Sequence, residues 1–312
     1  MIAVTGANGF LGKALCEELH KHGLNPSGLV RNLPSQASSF LTQVGEIDST
    51  TDWTKALRKV DTVIHCAARV HMMKKSESNA IDLFRKVNVS GTSNLAQQAA
   101  TIGVRRFIYL SSIKVNGEKT ELGTPFTSNS QPNPYGSYAI SKYEAEESLK
   151  SICNASGMDL VIIRPPLIYG PGVKGNFLYL LKLVEKKVPL PFGLINNLRS
   201  MVALDNIVNF ILDCIFNKQA INKTFLISDN HDLSTPQLIE RLSDALGLKC
   251  KLYNISPIIF KMFTFVIGKR DIYERIHGSL QVDINQTMQI SGWAPVVTIE
   301  DQLSKLVNSN HG

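Results

Sequence analysis

The 312-residue sequence has no apolar run long enough to cross a bilayer. Its most apolar late stretch, Ile255 to Ile267, is interrupted by Pro257 and Lys261 and reads as a core helix in preference to a membrane-surface one. No stable membrane insertion is expected. With only Met1 ahead of the first apolar run, no signal peptide is expected. Cysteine is sparse and odd in number. Cys16, Cys66, Cys153, Cys214 and Cys250 show no CxxC spacing, which offers no metal site and suits buried thiols in a reducing cytoplasm, the expected location. Charge is also thin: 33 Lys and Arg against 26 Asp and Glu leave +7. The basic residues come as pairs such as Lys74-Lys75, Arg105-Arg106 and Lys186-Lys187, never as a stripe with interleaved aromatics, so nucleic acid is not an expected partner. There is no internal repeat and no low-complexity tail.

What is present is ordinary globular material, 44% hydrophobic and 19% charged, enough for one large core or two smaller ones. Short apolar runs at Ile2–Thr5, Pro26–Val30, Val44–Ile47, Thr62–His65, Phe107–Ser111 and Leu160–Arg164 alternate with segments of helical period, the first from Phe10 to His22. Continuous rather than alternating apolar strands predict a doubly wound α/β fold, a parallel sheet covered on both faces. After Arg164 the pattern changes. Pro165, Pro166, Gly170, Pro171, Gly172 and Gly175 crowd together, so a dinucleotide-type domain over 1–168, with later returns near 203–229, is expected to give way to a smaller substrate domain over 169–312. Helix starts are expected at Asp205, as a plain N-cap, and at Ser234 with Gln237 in capping-box spacing and Gly247 as the stop. Gly292 to Pro295 reads as a turn closing the last helical pair.

Directly after the first strand stands Thr5-Gly6-Ala7-Asn8-Gly9-Phe10-Leu11-Gly12, three glycines opening a helix. That arrangement holds a pyrophosphate on backbone N–H groups at a helix N-terminus, as in a Rossmann domain. The end of the second strand chooses the cofactor, because an acidic residue there accepts from a ribose 2′-OH whereas arginine matches a 2′-phosphate. Val30-Arg31-Asn32 stands at that point, so Arg31 favours NADP(H), with NAD as the alternative. Asp48 is placed to meet the adenine, and Cys66, Ala67 and Ala68 to let backbone approach the cofactor.

Tyr138 and Lys142 lie one helical turn apart in a segment from Tyr138 to Lys150. An ammonium one turn away is expected to lower the phenol pKa and fit it for proton transfer at a carbinol or carbonyl oxygen. Ser111 and Ser112 end the preceding strand, at the sheet edge where ligands of such folds bind. Tyr135 lacks the one-turn spacing to Lys142 and is expected to line the loop or pack.

With these pieces in order, the chain resembles an extended short-chain dehydrogenase/reductase, of the NAD-dependent nucleotide-sugar epimerase/dehydratase family that includes UDP-glucose 4-epimerase. The matching segments are TGANGFLG at Thr5 to Gly12, HCAA at His65 to Ala68, NVSGTSNL at Asn88 to Leu95, SS at Ser111-Ser112, YAISK at Tyr138 to Lys142 and RPPLIYGPG at Arg164 to Gly172. The resemblance implies that Tyr138 is the acid-base, that Lys142 also holds the nicotinamide ribose, and that Ser112 orients the sugar oxygen. It adds Asn8, Phe10, Leu11 and Asn88 to the cofactor-binding set beside Gly6, Gly9 and Gly12. On the substrate side it implies Asn176, Arg199 and Arg275 as contacts of a UDP-sugar, with Arg270 as an alternative to Arg275 for the second diphosphate arginine.

Departures from the family pattern bear on the reaction. Arg31 replaces the acidic residue of NAD-retaining 4-epimerases, which favours an NADP(H)-dependent 4-keto reductase, with 4-epimerisation on bound NAD as the alternative. RSMVALDNIV at Arg199 to Val208 and SLQVDI at Ser279 to Ile284 resemble the bacterial surface-polysaccharide branch, which implies a UDP-N-acetylhexosamine or its 6-deoxy-4-keto form as substrate. A 4,6-dehydratase needs acidic residues beside the catalytic hydroxyl, and Ile113 and Lys114 follow Ser112. A non-catalytic dinucleotide sensor or RNA-binding relative has no need of the Ser112, Tyr138 and Lys142 set. Helices around Asn79 to Ile102 and Tyr135 to Cys153 resemble those forming a four-helix homodimer interface in relatives.

Overall fold

The computed structural model describes residues 1–36, 38–70, 80–256, 258–259 and 276–311. Seven strands form one parallel sheet: β1 Ile2–Thr5, β2 Pro26–Val30, β3 Leu41–Gln43, β4 Thr62–His65, β5 Arg106–Leu110, β6 Asp159–Arg164 and β9 Lys223–Leu226. Their order is β3-β2-β1-β4-β5-β6-β9, every neighbouring pair parallel. The chain runs outward from β1 to β3, then returns to lay β4 on the other side of β1. That reversal opens a crevice at the carboxyl ends of β1 and β4.

Because side chains alternate along a strand, the buried runs supply two cores. Val4, Ile64, Ile108, Val161 and Ile163 face α1 (Phe10–Lys21) and α6 (Leu204–Phe216). Leu11, Leu15 and Leu19 of α1 recur at helical spacing to fill that side. Ala3, Val63, Phe107, Tyr109, Leu160 and Ile162 face the other way, onto Leu95, Ala96 and Ala99 of α3 (Thr92–Ile102) and Ala145, Leu149 and Cys153 of α4 (Gly136–Ser156). Ahead of α3, α2 (Ala80–Phe84) runs into a π-helical stretch, Arg85–Gly91.

A third core joins α5 (Gly175–Glu185), α7 (Thr235–Ala245) and the C-terminal helix α9 (Ile299–His311) through Phe177, Leu181, Ile239, Leu242, Leu303 and Leu306. A two-stranded parallel sheet, β7 (Leu167–Tyr169) with β8 (Met201–Ala203), links this lobe to α6. The short helix α8 (Asn285–Ser291) ends at Gly292, whose φ is 74°, and the turn to Pro295 leads toward α9 as expected. Ser234 and Gln237 form the expected capping box of α7. Among the described residues no helix is long and apolar enough to cross a membrane. Most of the Ile255 to Ile267 stretch lies outside the described residues.

Two local expectations give way. The third strand ends at Gln43 instead of spanning Val44–Ile47, because Gly45 takes φ 77° and turns the chain out of extended geometry. Asp205 is not an N-cap. The chain enters α6 straight from β8 with Ala203 in the capping position, and Asp205, inside the first turn, pairs with Lys305 at 2.7 Å.

Candidate functional site

The site is built at the carboxyl edge of the sheet, beginning with the turn after β1. Gly6 has φ 68°, and a Cβ there would stand 3.0 Å from the Ala67 backbone, so the β1 and β4 turns meet as bare backbone. A Cβ on Gly12 would lie 2.2 Å from the Gly6 carbonyl oxygen, so glycine is required there for α1 to pack on the turn. Gly9 is the N-cap of α1, with no side-chain cap and no acidic residue in the first turn. The first N–H groups of the helix therefore remain available to an anion. Asn8 and Gly9 are exposed, Phe10 is half-buried, and Leu11 points into the core, leaving only its backbone for a ligand. These features fit a dinucleotide pyrophosphate.

The walls of that crevice are tied by side chains to which the sequence assigned no such part. His65 bridges Thr5 at 2.7 Å and Thr92 at 2.9 Å, and the Thr5 hydroxyl also accepts from the Ala67 N–H at 3.2 Å. Burial, with the nearby Lys142 charge second, holds the His65 pKa down at about 3, so it is neutral at physiological pH. Burial pushes the Cys66 thiol up to about 12. Ala67 and Ala68 are half-buried beside the glycine turn. Asn88 is fully engaged inward: its amide accepts from the Arg69 N–H at 2.8 Å and donates to the Arg69 carbonyl and to Ser141. It fixes the loop after β4 against α4.

Toward the expected adenosine end, Arg31 is exposed just past β2, and its guanidinium lies 3.6 Å from the Glu46 carboxylate. Asp48 accepts from the Thr50 N–H and hydroxyl and pairs with Lys86 at 3.2 Å. These contacts, Thr50 first, hold its pKa at about 2.

Ser112, Tyr138 and Lys142 converge where β5 meets α4. Ser112 caps a one-turn 3₁₀ helix over Ile113–Val115, its hydroxyl accepting from the Lys114 N–H at 3.3 Å. It also hydrogen-bonds Tyr138. The phenol edge-packs on Phe84 with ring centroids 6.2 Å apart. Lys142 is buried, its Nζ donating to the Leu110 carbonyl at 2.6 Å and lying 4.4 Å from the centre of the Tyr109 ring.

The expected lowering of the phenol pKa does not occur. Burial pushes Tyr138 up to about 12, the Ser112 hydrogen bond pulling only partly the other way, because Lys142 is turned toward the strand end. Lys142 itself is brought down to about 8 by burial, against the opposing influence of Cys66 and Glu146. Tyr135 does not pack: it precedes α4 at 78% exposure.

Behind this set lies a buried network. Arg164, at the end of β6, meets the Glu146 carboxylate through Nε at 2.9 Å and Nη2 at 2.5 Å, and donates to Asn116 at 3.0 Å. The Ser111 hydroxyl donates to the same carboxylate. The signal for Glu146 was its spacing, a second step of four along the helix after that from Tyr138 to Lys142.

On the other lobe Arg199 donates to the Gly278 carbonyl at 2.9 Å, and its backbone pairs with Leu233 and Leu280. Asn176 is exposed in the first turn of α5. Arg270 and Arg275 lie outside the described residues. Asp229 joins the two lobes, accepting from Tyr169, from the Ala203 N–H and from Asn206 at 2.7–2.8 Å. A cavity of about 760 Å³ borders Asn8 to Phe10 between α1 and α6, and none of Ser112, Tyr138 and Lys142 lines it.

Known proteins agree with this architecture. The Vibrio cholerae protein described as UDP-glucose 4-epimerase is 42% identical over 302 residues, 96% of this chain and 92% of that protein. The Escherichia coli O157:H7 protein described as N-acetyl-alpha-D-glucosaminyl-diphospho-ditrans,octacis-undecaprenol 4-epimerase is 31% identical over 80% of this chain and 73% of its own length. The fold matches the crystal structure of UDP-glucuronic acid 4-epimerase from Bacillus cereus in complex with NAD, with TM-score 0.78 and 21% identity over 99% of this chain and 97% of that one. The model of the NAD dependent epimerase/dehydratase family matches residues 2–227, and the chain belongs to that family of enzymes.

Proposed function

We propose that this enzyme transfers a hydride at C4 of a UDP-hexose or UDP-N-acetylhexosamine, running as an NADP(H)-dependent 4-keto reductase that supplies a surface-polysaccharide precursor. The observation that carries this reading is the convergence of Ser112, Tyr138 and Lys142 beside the glycine turn. Ser112 orients the sugar oxygen. Tyr138, held near 12, is protonated at neutral pH and so is a donor toward the oxygen of a keto sugar. The dinucleotide, when bound, supplies the hydride. Backbone from Gly6 to Gly12, with Asp48, Cys66, Ala67, Ala68, Asn88 and Lys142, forms the cofactor side, and Arg31 the match for a 2′-phosphate. Asn176 and Arg199 are the substrate candidates on the other lobe, and Arg275 is retained on sequence alone.

A second reading, 4-epimerisation on bound NAD, is favoured by Glu46. Its carboxylate faces Arg31 and adds a negative charge where a 2′-phosphate would sit. The description of the Vibrio cholerae relative points the same way. A dehydratase is disfavoured, since the position after Ile113 is Lys114, engaged with Glu118 at 2.9 Å. We also propose a cytoplasmic homodimer formed through the faces of α3 and α4, which sizing in solution tests.

The deciding experiment identifies the dinucleotide released on denaturation. It then follows NADPH absorbance with a UDP-4-keto-6-deoxy-N-acetylhexosamine, beside an epimerase assay on UDP-N-acetylglucosamine. NADPH consumption with the keto sugar establishes the reductase. Retained NAD with sugar interconversion and no net absorbance change overturns it in favour of the epimerase. If neither assay responds and Tyr138→Phe behaves identically, the catalytic reading fails.

A further inference from the structure

Tyr138, Lys142 and Glu146 follow one another at steps of four along α4 and so share one face of the helix. The proposed chemistry uses the first two. The third is a carboxylate with 0% exposure, and its partner Arg164 is 5% exposed. All their ties run to the segment that carries Ser112. The Ser111 hydroxyl bonds Glu146 on one side of Ser112, and Arg164 bonds the Asn116 side chain on the other. Backbone bonds from Ser111 to Ile163 at 2.8 Å and from Ile113 to Pro165 at 2.9 Å lay the same segment against β6 and the loop beyond it. One turn earlier on α4, Lys142 holds Leu110, the residue before Ser111.

We propose that the buried Glu146–Arg164 pair is a positioning device for hydride transfer: it fixes Ser112 and Lys142 against Tyr138 by clamping both flanks of Ser112 to α4 and β6. The proposal rests on the reading of Ser112, Tyr138 and Lys142 given above. Stability alone does not explain the pair, because apolar residues of similar volume in place of a buried ion pair are often neutral or stabilising. A clamp does explain it. Arg164 donates from all three of its nitrogens and the carboxylate accepts in fork geometry, so three segments, α4, the end of β6 and Ser111 to Asn116, are held in one arrangement.

The carboxylate also acts on the lysine. Lys142 is faced by His65 and Cys66 at the end of β4, by Tyr109 of β5, and by Tyr138 and Glu146 of its own helix, with Arg164 behind Glu146. At neutral pH the imidazole, the thiol and both phenols are uncharged. Glu146 is the carboxylate among these neighbours, and its removal leaves the Lys142 ammonium less supported.

The test is steady-state kinetics, in whichever of the two assays the intact enzyme answers, on Ser111→Ala, Ser111→Thr and the double variant Glu146→Gln/Arg164→Met, which leaves no unpaired buried charge. Ser111→Ala is expected to lower kcat about tenfold with KM little changed, as misplacement of reacting groups does, and Ser111→Thr to restore most of it. The double variant is expected to lose about a hundredfold in kcat, to bind UDP as the wild type does, and to move the alkaline limb of its pH profile down by about one unit. Variants that keep kcat and the pH profile, in an enzyme that Tyr138→Phe disables, overturn this proposal alone. A wild type inactive in both assays overturns it together with the reading beneath it.

Discussion

Two buried arginines mark opposite edges of the same sheet. Arg106 begins β5 at 1% exposure and Arg164 ends the neighbouring β6 at 5%. Arg106 donates to the Cys214, Ile215 and Asn217 carbonyls at 2.7–3.1 Å, closing the C-terminus of α6, and meets Asp159 at 3.1 Å. Its Nε is buried with no hydrogen-bond partner among the described residues. Arg164 has a use for every nitrogen, and each leads to the serine segment or the catalytic helix. One arginine completes a helix end and the other, in the proposed clamp, holds the serine segment to α4. The difference follows from parallel topology, which gathers ligands at the carboxyl edge and leaves the amino edge to scaffolding.

The comparison can be broken. The largest effect is expected at the carboxyl edge itself: Tyr138→Phe should lower kcat by about 10²–10⁴-fold with melting unchanged, as measured by turnover and calorimetry. Arg106→Met should show the reverse pattern, a loss of about 3 kcal/mol in denaturant unfolding, since it strips the Cys214, Ile215 and Asn217 carbonyls of their side-chain donor and leaves Asp159 only the longer contact with Arg105, with kcat per folded molecule intact. A kcat loss in Arg106→Met would erase the distinction between the two edges.

His65 offers a finer test, being a titratable group at the carboxyl edge that plays a scaffolding part. Its folded pKa is depressed to about 3, so between that value and about 6.5 the unfolded chain binds a proton that the native state refuses. Its contribution is full above about 6.5 and is lost as pH falls. Wild type should therefore lose about 1.4 kcal/mol more per pH unit than His65→Gln from pH 6 to pH 4 in urea melts. Parallel curves would show that the imidazole titrates normally. The smallest effect belongs to the exposed Arg31: its alanine variant should change stability by less than about 0.5 kcal/mol. It should raise the KM for NADPH several-fold relative to that for NADH, and an unchanged ratio would favour the NAD reading.

The parts of the site that the sequence disclosed are local ones. Gly6, Gly9 and Gly12 lie within a single turn, and Tyr138 and Lys142 within another, so spacing alone brings each group together. Glu146, Arg164, Ser111 and Asn116 span up to 53 positions and meet only after β5 and β6 pair, which no local pattern announces. Asp205 illustrates the same limit. Its residue type and position satisfy a capping rule, yet its actual partner is Lys305, a hundred residues onward. Val44 to Ile47 looked like a strand because its apolar residues outweighed Gly45, whose left-handed backbone ended the extended run. The raised Tyr138 pKa was illegible for a related reason: it depends on where the lysine points, and Leu110 decides that.

The return of β9 to the sheet has a consequence for how the molecule can be divided. Between β6 and β9 the chain visits the other lobe, so a fragment ending near residue 168 would carry neither α6 nor β9. Its β6 would become a bare edge, an invitation to pair with another chain. The apolar face of α1 and the sheet would lose Ile207, Phe210, Ile211 and Ile215, each worth about 1.5–3 kcal/mol when fully buried. The large sheet is thus completed by a part of the chain made after the second lobe has begun, and on the ribosome it cannot close until Leu226 has emerged.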